Sequence, residues 1–258
     1  MKRNDWENQY VLQINREPMH VPLGAYSSEV EAATCSRNIS KYVELLDGTW
    51  KFKLVQGPQE VPEEFYKEKY DYSQWDNITV PGNWELQGFG YPIYTCQIYP
   101  FDVSNPEAHH ILEPGSDASR LRDRMLDYNL NIPNVPKANP TGCYITKFQV
   151  NEDWLQREVF INFEGVESAF YLWVNGEMVG YSQDSKLSAE FIISEYIRMG
   201  TNTLAVQVMR WCDGTYVEDQ DYWFLSGIQR SVKLYSKPRV YIKDFKIFNE
   251  LKDDYYNY

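Results

Sequence analysis

Apolar residues alternate with their neighbours, with a period of two, in many short runs along this chain. The clearest run is Thr203–Met209, where Leu204, Val206 and Val208 share one face. Such alternation is typical of a β-strand with one buried face. Asn175-Gly176 separates two further runs, and this dipeptide is the strongest short signal for a β-hairpin. The chain is therefore predicted to consist mainly of antiparallel strands.

The spacing of these runs predicts the fold class. About seven to ten short strands recur every roughly 8 to 14 residues, with one minor helix, which indicates an all-β, antiparallel jelly-roll sandwich. The predicted strands are Leu46–Val55, Asn77–Val80, Cys143–Val150, Glu158–Phe163, Ser168–Val174, Glu177–Ser182, Phe191–Ile197, Thr203–Met209 and Ser231–Tyr235.

The same pattern divides the chain into three parts. Residues 1–40 are predicted to form an irregular arm in which only Ser27–Ala33 has helical character, because Pro18 and Pro22 interrupt any longer helix. Residues 41–237 form the sandwich, with a long inserted loop at 101–138 that carries a surface helix near 117–130. Residues 238–258 begin a second domain, and alternation over Val240–Phe248 predicts its first strand.

Composition excludes several classes of protein. The net charge of −12 argues against nucleic-acid binding, because little of this chain would neutralise phosphates. No apolar run follows the basic start and no window approaches about eighteen apolar residues, so neither a secretory signal nor a membrane span is predicted. The four cysteines, at 35, 96, 143 and 212, lack metal-ligand spacing and are predicted to be reduced core thiols, which favours a cytoplasmic location.

The segment Met209–Arg230 combines aromatic rings, carboxylates, an Asp-Gly turn and a Ser-Gly break. Glycoside hydrolysis through a covalent intermediate needs two facing carboxyl groups. Glu218, Asp219 and Asp221 crowd together here, but their placement favours hydrogen bonds to backbone amides and to Arg210 and Arg230. No catalytic residue is therefore assigned. The pair His109-His110 is predicted to be solvated rather than metal-bound, since no third ligand lies at suitable spacing.

Ordered motifs along nearly the whole chain resemble glycoside hydrolase family 2, in its large bacterial beta-galactosidase branch. The segment RWCDG-TYVEDQD-YW-LSGI-R within 209–230 carries part of this resemblance. The other motifs are DWEN at 5–8, INR at 14–16, LDGTWKF at 46–52, VPGNW at 80–84, PIYT at 92–95, NPTGCY at 139–144, FEGVESAFYLW at 163–173 and VGYSQDS at 179–185.

The resemblance implies the amino-terminal, galactose-binding-domain-like part of a retaining beta-galactosidase, followed by the start of an immunoglobulin-like domain. In that family the catalytic glutamates and magnesium ligands belong to a downstream barrel, which by itself takes about 250 residues. The 258-residue chain alone is therefore expected to be inactive, and the full-length enzyme is expected to be a homo-oligomer. The alternatives are a family 2 hydrolase for another sugar, and a stand-alone carbohydrate-binding module or pseudo-enzyme fragment.

The resemblance also implies three sugar-site residues. Asp213 matches an aspartate that contacts galactosyl hydroxyls and helps to hold sodium, although an Asp bonding its own backbone in a tight turn explains the same residue. Cys96 stands where the family commonly has an asparagine, so one sugar contact is expected to be weakened, because a thiol is a weak donor and acceptor. Tyr94 is either a pocket-lining or a buried structural residue.

Asp5 and Asn8 are implied by the same resemblance to lie near a structural divalent ion. Their oxygens suit a hard cation. Capping of a short helical turn is the more frequent explanation for such residues. Sodium shared with the barrel, and magnesium in the full-length enzyme, are the expected cofactors.

Overall fold

A computed structural model describes residues 4–21, 23–95, 99–101, 132–218 and 220–250. Its strands pair antiparallel in every ladder of this described part. They are β1 (Gln13–Ile14), β2 (Val43–Leu45), β3 (Gly48–Val55), β4 (Asp76–Val80), β5 (Ile93–Thr95), β6 (Thr141–Val150), β7 (Glu158–Phe163), β8 (Val166–Glu167), β9 (Ala169–Val174), β10 (Glu177–Ser182), β11 (Ala189–Ile192), β12 (Gly200–Met209), β13 (Tyr222–Phe224), β14 (Gly227–Ile228) and β15 (Val232–Lys237).

Two sheets form a sandwich. The larger has seven strands in the order β1-β10-β9-β12-β6-β3-β4, and the smaller has four in the order β11-β7-β15-β2. Two short ribbons, β13-β5 and β14-β8, lie beside them. The predicted all-β, antiparallel sandwich is confirmed.

The apolar faces of the two sheets pack against each other to form the main core. β3 contributes Trp50 and Phe52, both almost fully buried, and the Phe52 ring lies 4.7 Å from the Tyr144 ring. Their neighbours on β3 point away from this core, as a period of two requires. The other strands supply Ile161, Phe163, Leu172, Val174, Leu204, Val206, Val208, Val232 and Leu234.

The hairpin predicted at Asn175-Gly176 is confirmed and joins β9 to β10. Both turn residues have positive φ, 52° and 83°, which a type I′ turn requires and which Asn and Gly tolerate best. The Asn175 amide also donates to Tyr196 O at 2.8 Å and to Asn202 Oδ1 at 2.7 Å. The turn therefore ties the hairpin to the start of β12.

β12 differs from the prediction because both of its faces are buried. Leu204, Val206 and Val208 face the main core as expected, but Ala205 packs into a second cluster with Phe65 and Trp75. Those two rings come from the segment between β3 and β4, which lies over the outer face of the large sheet. The prediction of one buried face is thus wrong, since period alone shows which side is more apolar but not what covers the other.

Among the described residues, two short α-helices interrupt the strands. α1 (Glu29–Ala33) confirms the helix predicted in the arm, and the Ser28 hydroxyl accepts a hydrogen bond from Glu31 N to cap it. α2 (Glu152–Leu155) joins β6 to β7. None of the helices in the described residues is long and apolar enough to cross a membrane.

Two further predictions differ from the structure, and two others fall on residues that it does not describe. No strand forms over Val240–Phe248 in the described residues, where the apolar side chains are largely exposed, because a strand needs a neighbouring strand for its ladder. The strand expected from Phe191 ends at Ile192, where the Ser194 hydroxyl accepts the hydrogen bond from Val159 N instead. The helix predicted near 117–130 lies outside the described residues, as does His109-His110.

The cysteines agree in part with the prediction. Cys143 and Cys212 are free, buried thiols, whereas Cys35 is free and exposed on the loop after α1. The prediction of a core thiol is therefore wrong for Cys35, which follows a five-residue helix too short and too polar to be covered. Cys96 lies outside the described residues.

Candidate functional site

The end of β12 carries the residues around the predicted sugar site. After Met209 the chain leaves the sheet. The Asn139 side chain binds the backbone of Trp211 through two hydrogen bonds of 2.8 Å, in which Trp211 N donates to Asn139 Oδ1 and Asn139 Nδ2 donates to Trp211 O. A 3₁₀ turn over Asp213–Tyr216 follows, closed by Cys212 N donating to Thr215 Oγ1 at 3.1 Å. A rigid strand end therefore fixes the position of Asp213.

The Asp213 side chain lies beneath the surface. Only 7% of the residue is exposed, and its Oδ1 accepts a hydrogen bond of 2.5 Å from Gln183 Nε2. Burial raises the pKa of the Asp213 carboxyl above its ordinary value, the Gln183 hydrogen bond opposes this shift, and the charge of Glu7 adds to it. The Asp213 carboxylate is therefore buried and held by Gln183, and its contact with a sugar stays a prediction.

A cleft of about 490 Å³ opens beside Asp213, and its lining includes Arg16, Gln183, Lys186, Gly214 and Glu218. Gln183 and Gly214 separate this cleft from the Asp213 carboxylate. The lining of the cleft carries charged side chains of both signs beside apolar ones such as Leu12 and Val217. Two residues next to the Asp213 carboxylate, its hydrogen-bond partner Gln183 and its chain neighbour Gly214, therefore line this cleft.

The acidic residues after the turn are held differently from the prediction. Glu218 accepts hydrogen bonds from Ser185 N at 2.9 Å and from Ser185 Oγ at 2.6 Å, so the expected bond to a backbone amide is confirmed. The expected partnership with Arg210 and Arg230 is wrong. Arg210 faces Glu85 at 3.6 Å, and Arg230 donates to the carbonyl oxygens of Glu164 and Lys186. Asp219 lies outside the described residues.

The amino-terminal turn lies next to the Asp213 turn. Its 3₁₀ turn over Asp5–Glu7 contacts the turn over Asp213–Tyr216. Asp5 Oδ2 accepts from the Tyr171 hydroxyl at 2.8 Å, and Asn8 Oδ1 accepts from Tyr10 N at 3.2 Å. The two predicted cation positions are therefore neighbours. Over the described ranges, no three His, Cys, Asp or Glu side chains converge on a point that could hold a metal.

A second group of residues lies on the β5–β13 ribbon. Tyr94 and Trp223 are register partners, are 50% and 55% exposed, and have ring centroids 5.4 Å apart. The Tyr94 hydroxyl donates to Asp221 Oδ1 at 2.7 Å, and Asp221 is exposed. We call Tyr94, Asp221 and Trp223 the ribbon site. Tyr94 thus lies at the surface, and its alternative as a buried structural residue is wrong.

This group combines what sugar recognition requires: aromatic faces, an oriented carboxylate and access to solvent. Asp221 was overlooked as a binding residue because its contact with Tyr94 spans 127 positions of the chain. The sequence signal that could have revealed this site is the alternation over Tyr222–Phe224, which places Trp223 on the exposed face and its two neighbours on the inward face.

Comparison with known proteins decides the family. Residues 43–122 and 122–238 match the family model described as glycosyl hydrolases family 2, sugar binding domain. The chain belongs to glycoside hydrolase family 2. The resemblance predicted from the ordered motifs is confirmed.

Relatives of this family 2 chain include bacterial β-galactosidases. It is 43% identical over 251 residues to the β-galactosidase of Photobacterium profundum, and 41% identical over 253 residues to that of Priestia megaterium. Each alignment covers 97% of this chain and 22% of the relative. The chain therefore spans about a fifth of the length of these relatives.

Solved structures of family 2 enzymes share the fold. A β-glucuronidase from Bacteroides uniformis superposes with a TM-score of 0.50 at 18% identity, over 76% of this chain and 18% of that one. β-Glucuronidase 2 of the same organism, covalently bound to cyclophellitol-6-carboxylate aziridine, gives a TM-score of 0.50 at 19% identity over the same share of each chain. At this identity the comparison supports the sandwich fold and nothing about the sugar.

Proposed function

We propose that this chain is the amino-terminal, sugar-positioning part of a retaining β-galactosidase that hydrolyses terminal β-galactosides. Its 41 to 43% identity to bacterial β-galactosidases over 97% of its length supports this proposal. Its own acids support a positioning role. Glu218 is bound by Ser185, Asp213 by Gln183, and Asp221 by Tyr94, so each is held as an acceptor. The catalytic glutamates would come from the rest of the enzyme.

The observation that carries the proposal is the ribbon site. An exposed carboxylate held by a phenol accepts hydrogen bonds from sugar hydroxyls, while the Trp223 ring offers a flat apolar surface to the ring hydrogens of a pyranose. We therefore assign first contact with the sugar to Tyr94 and Asp221. Asp213, which is 7% exposed and bound by Gln183, would contact the sugar only after it is uncovered. Cys96, predicted as a weakened contact, follows directly after Thr95 of β5, and that role stays a prediction.

The residues around Asp213 supply part of what a bound cation needs. Burial disfavours the ionised Asp213 carboxyl, and Glu7 adds a second negative charge, so a hard cation would be stabilised there. One carboxylate does not complete a coordination shell, so sodium at Asp213 would need ligands from the rest of the enzyme. Asp5 would add an oxygen to a divalent ion such as magnesium. Asn8 Oδ1 accepts one hydrogen bond from Tyr10 N and would use its second lone pair for the ion. Such an ion would neutralise buried charge and fix the two turns.

Steady-state kinetics on the whole enzyme would test the ribbon site. Asp221→Asn removes the charge and Tyr94→Phe removes the donor, and we expect KM for an aryl β-galactoside to rise about tenfold or more, as for a lost charge-assisted hydrogen bond. Asp76→Asn and Tyr10→Phe are the controls, since both residues are exposed and lie away from the ribbon. KM values unchanged in both ribbon variants would contradict the proposal.

A panel of aryl glycosides on the same enzyme would test the sugar. Cleavage of the β-galactoside in preference to the β-glucuronide and β-mannoside is the expected result. Preference for another sugar would show that the proposed galactoside substrate is wrong, while the family 2 assignment would stand. Tight binding of galactose to this chain alone, by calorimetry, would instead favour a stand-alone binding module. The homo-oligomer and the cytoplasmic location stay predictions.

A further inference from the structure

A buried ion pair lies behind the ribbon site. The Glu85 and Arg210 side chains are 0% and 3% exposed, and Glu85 Oε1 lies 3.6 Å from Arg210 Nη2. Glu85 begins a 3₁₀ turn after β4, and Arg210 directly follows β12. Such a pair contributes little net stability, because removing two charges from water costs about as much as their attraction returns.

The hydrogen bonds of the pair lead to the two strands of the ribbon. Arg210 Nη2 donates to Tyr91 O and to Phe224 O, both at 3.1 Å. Tyr91 lies two residues before β5, and Phe224 is the last residue of β13. Glu85 Oε2 accepts from Ser226 N at 2.9 Å, just beyond β13. One guanidinium thus joins the entry of one ribbon strand to the exit of the other.

The strands Ile93–Thr95 and Tyr222–Phe224 make up a small ribbon. It is a ladder of two three-residue strands, separate from both main sheets. A two-stranded ladder of this length is marginal without support. Its inward side chains, Ile93 and Phe224, pack in a small cluster with Trp211. Apolar packing of this sort resists separation but sets strand position less sharply than directional hydrogen bonds do.

The geometry of the pair itself favours positioning over stability. Glu85 Oε1 and Arg210 Nε have no hydrogen-bond partner in the described chain. The desolvation cost of the pair is therefore only partly offset. The bonds it does make go to backbone atoms of the ribbon, and those are the bonds that fix a strand in space.

We propose that Arg210, held by Glu85, is a positioning residue that fixes the ribbon and so presents Tyr94 and Asp221 to the sugar. Arg210 does not touch the sugar itself. The proposal rests on the proposed function of the ribbon site. The bonds from its single Nη2 to the carbonyl oxygens of Tyr91, just before β5, and of Phe224, at the end of β13, carry the inference.

Hydrogen exchange of the whole 258-residue chain tests the positioning directly. We expect Arg210→Lys to raise the exchange rate of amides in Ile93–Thr95 and Tyr222–Phe224 about tenfold or more, because the lysine side chain is one atom shorter and lacks the planar group that directs Nη2 to both carbonyl oxygens. Amides of β6 and β12 should keep their rates. Arg157→Lys is the matched control, since Arg157 donates to Ser236 Oγ and Ser236 O on the far sheet, and it should leave the ribbon rates unchanged.

A second variant avoids leaving one buried charge without its partner. Arg210→Met combined with Glu85→Gln removes both charges and keeps an acceptor for Ser226 N, and it should again loosen only the ribbon. Ribbon amides that exchange at the wild-type rate in both variants would overturn the proposal. So would an equal increase over all strands, or loss of folding in both variants, since Arg210 would then be a general stability residue.

Kinetics separate this proposal from the function on which it rests. In the whole enzyme, Arg210→Lys should raise KM several-fold with a smaller change in kcat, as expected when a binding surface is displaced. If Arg210→Lys loosens the ribbon while Asp221→Asn leaves KM unchanged, the positioning is correct and the sugar site is wrong. If Asp221→Asn raises KM while Arg210→Lys loosens nothing, the sugar site stands and Arg210 has no positioning role.

Discussion

Gln183→Ala tests how far the Asp213 carboxylate is sealed from water. Gln183 is 4% exposed, and its amide donates to two buried acceptors, Asp213 Oδ1 at 2.5 Å and the Tyr181 hydroxyl at 2.8 Å. Alanine removes both donors and leaves both acceptors in place. The substitution therefore measures the cost of leaving one buried charge and one buried hydroxyl without their partner.

The expected loss follows from the two hydrogen bonds. A neutral bond contributes about 1 kcal/mol and a bond to a charged group about 1.5–3 kcal/mol. Together these predict that the free energy of unfolding falls by about 3 kcal/mol at pH 7 in Gln183→Ala. Gln149→Ala is the control, because Gln149 is exposed and its amide donates to Thr201 Oγ1 at 2.9 Å. That loss should stay below about 0.5 kcal/mol.

The pH dependence has a definite sign. The folded state raises the pKa of Asp213, so folding is favoured by the protonated form, and stability falls as pH rises from the unfolded value of about 3.9 to the raised folded value. Removing the Gln183 donor raises that pKa further, since the bond opposes the shift. The difference between wild type and Gln183→Ala should therefore grow with pH across this window and then level off.

Urea unfolding followed by tryptophan fluorescence, at several pH values, measures both effects. Gln183 lines the cleft, so water could enter the space left by alanine. A loss below about 1 kcal/mol with no growth as pH rises would refute the reasoning, because it would mean that water replaces the amide at the carboxylate. Asp213 would then be accessible from the cleft, and direct contact with a ligand would regain support.

Three further substitutions or modifications have expected outcomes. Gly227→Ala should lower the free energy of unfolding by about 3 kcal/mol in urea titrations, because Gly227 has φ of 114° and a Cβ would lie 2.8 Å from the Tyr144 hydroxyl. Iodoacetamide should modify the exposed Cys35 and spare Cys212 until the chain unfolds, since burial raises the pKa of the Cys212 thiol to about 12, and peptide mass mapping would show any exception. Asp213→Asn keeps an oxygen that accepts the Gln183 hydrogen bond and removes a charge that burial disfavours. It should therefore raise the free energy of unfolding at pH 7 but not below about pH 3.9. An equal effect at both pH values in the same urea assay would contradict that cause.

The elements predicted correctly are those whose signals are local. β3 and β12 follow from alternation within ten residues, and the hairpin follows from the positive φ values that Asn175 and Gly176 tolerate. Neighbouring positions contain all the information that such elements need. The fold class follows from their number and spacing for the same reason.

The features that were missed depend on partners far along the chain. Phe65 and Trp75 cover the outer face of β12, and nothing within β12 indicates a cover of that kind. Arg210 and Glu85 are separated by 125 positions, and a charged residue in a sequence gives no sign that it will be buried. The strand expected at Val240–Phe248 failed for a related reason, because alternation specifies a face but supplies no neighbouring strand.

A motif in the sequence does not show which of two aspartates in the segment 209–230 is accessible to a sugar. Asp213 and Asp221 lie eight positions apart, and either could accept hydrogen bonds from a sugar. Burial separates them, since a carboxylate under Gln183 and Gly214 would have to be uncovered before it could bind. Asp221 has the opposite difficulty, because an exposed side chain must lose rotamer freedom on binding, at about 0.5–1.5 kcal/mol. The Tyr94 hydroxyl removes much of that cost beforehand by holding Asp221 Oδ1 at 2.7 Å. A ribbon that fixes Tyr94 therefore also fixes the carboxylate, which is why support from Arg210 at the strand ends should appear as sugar affinity.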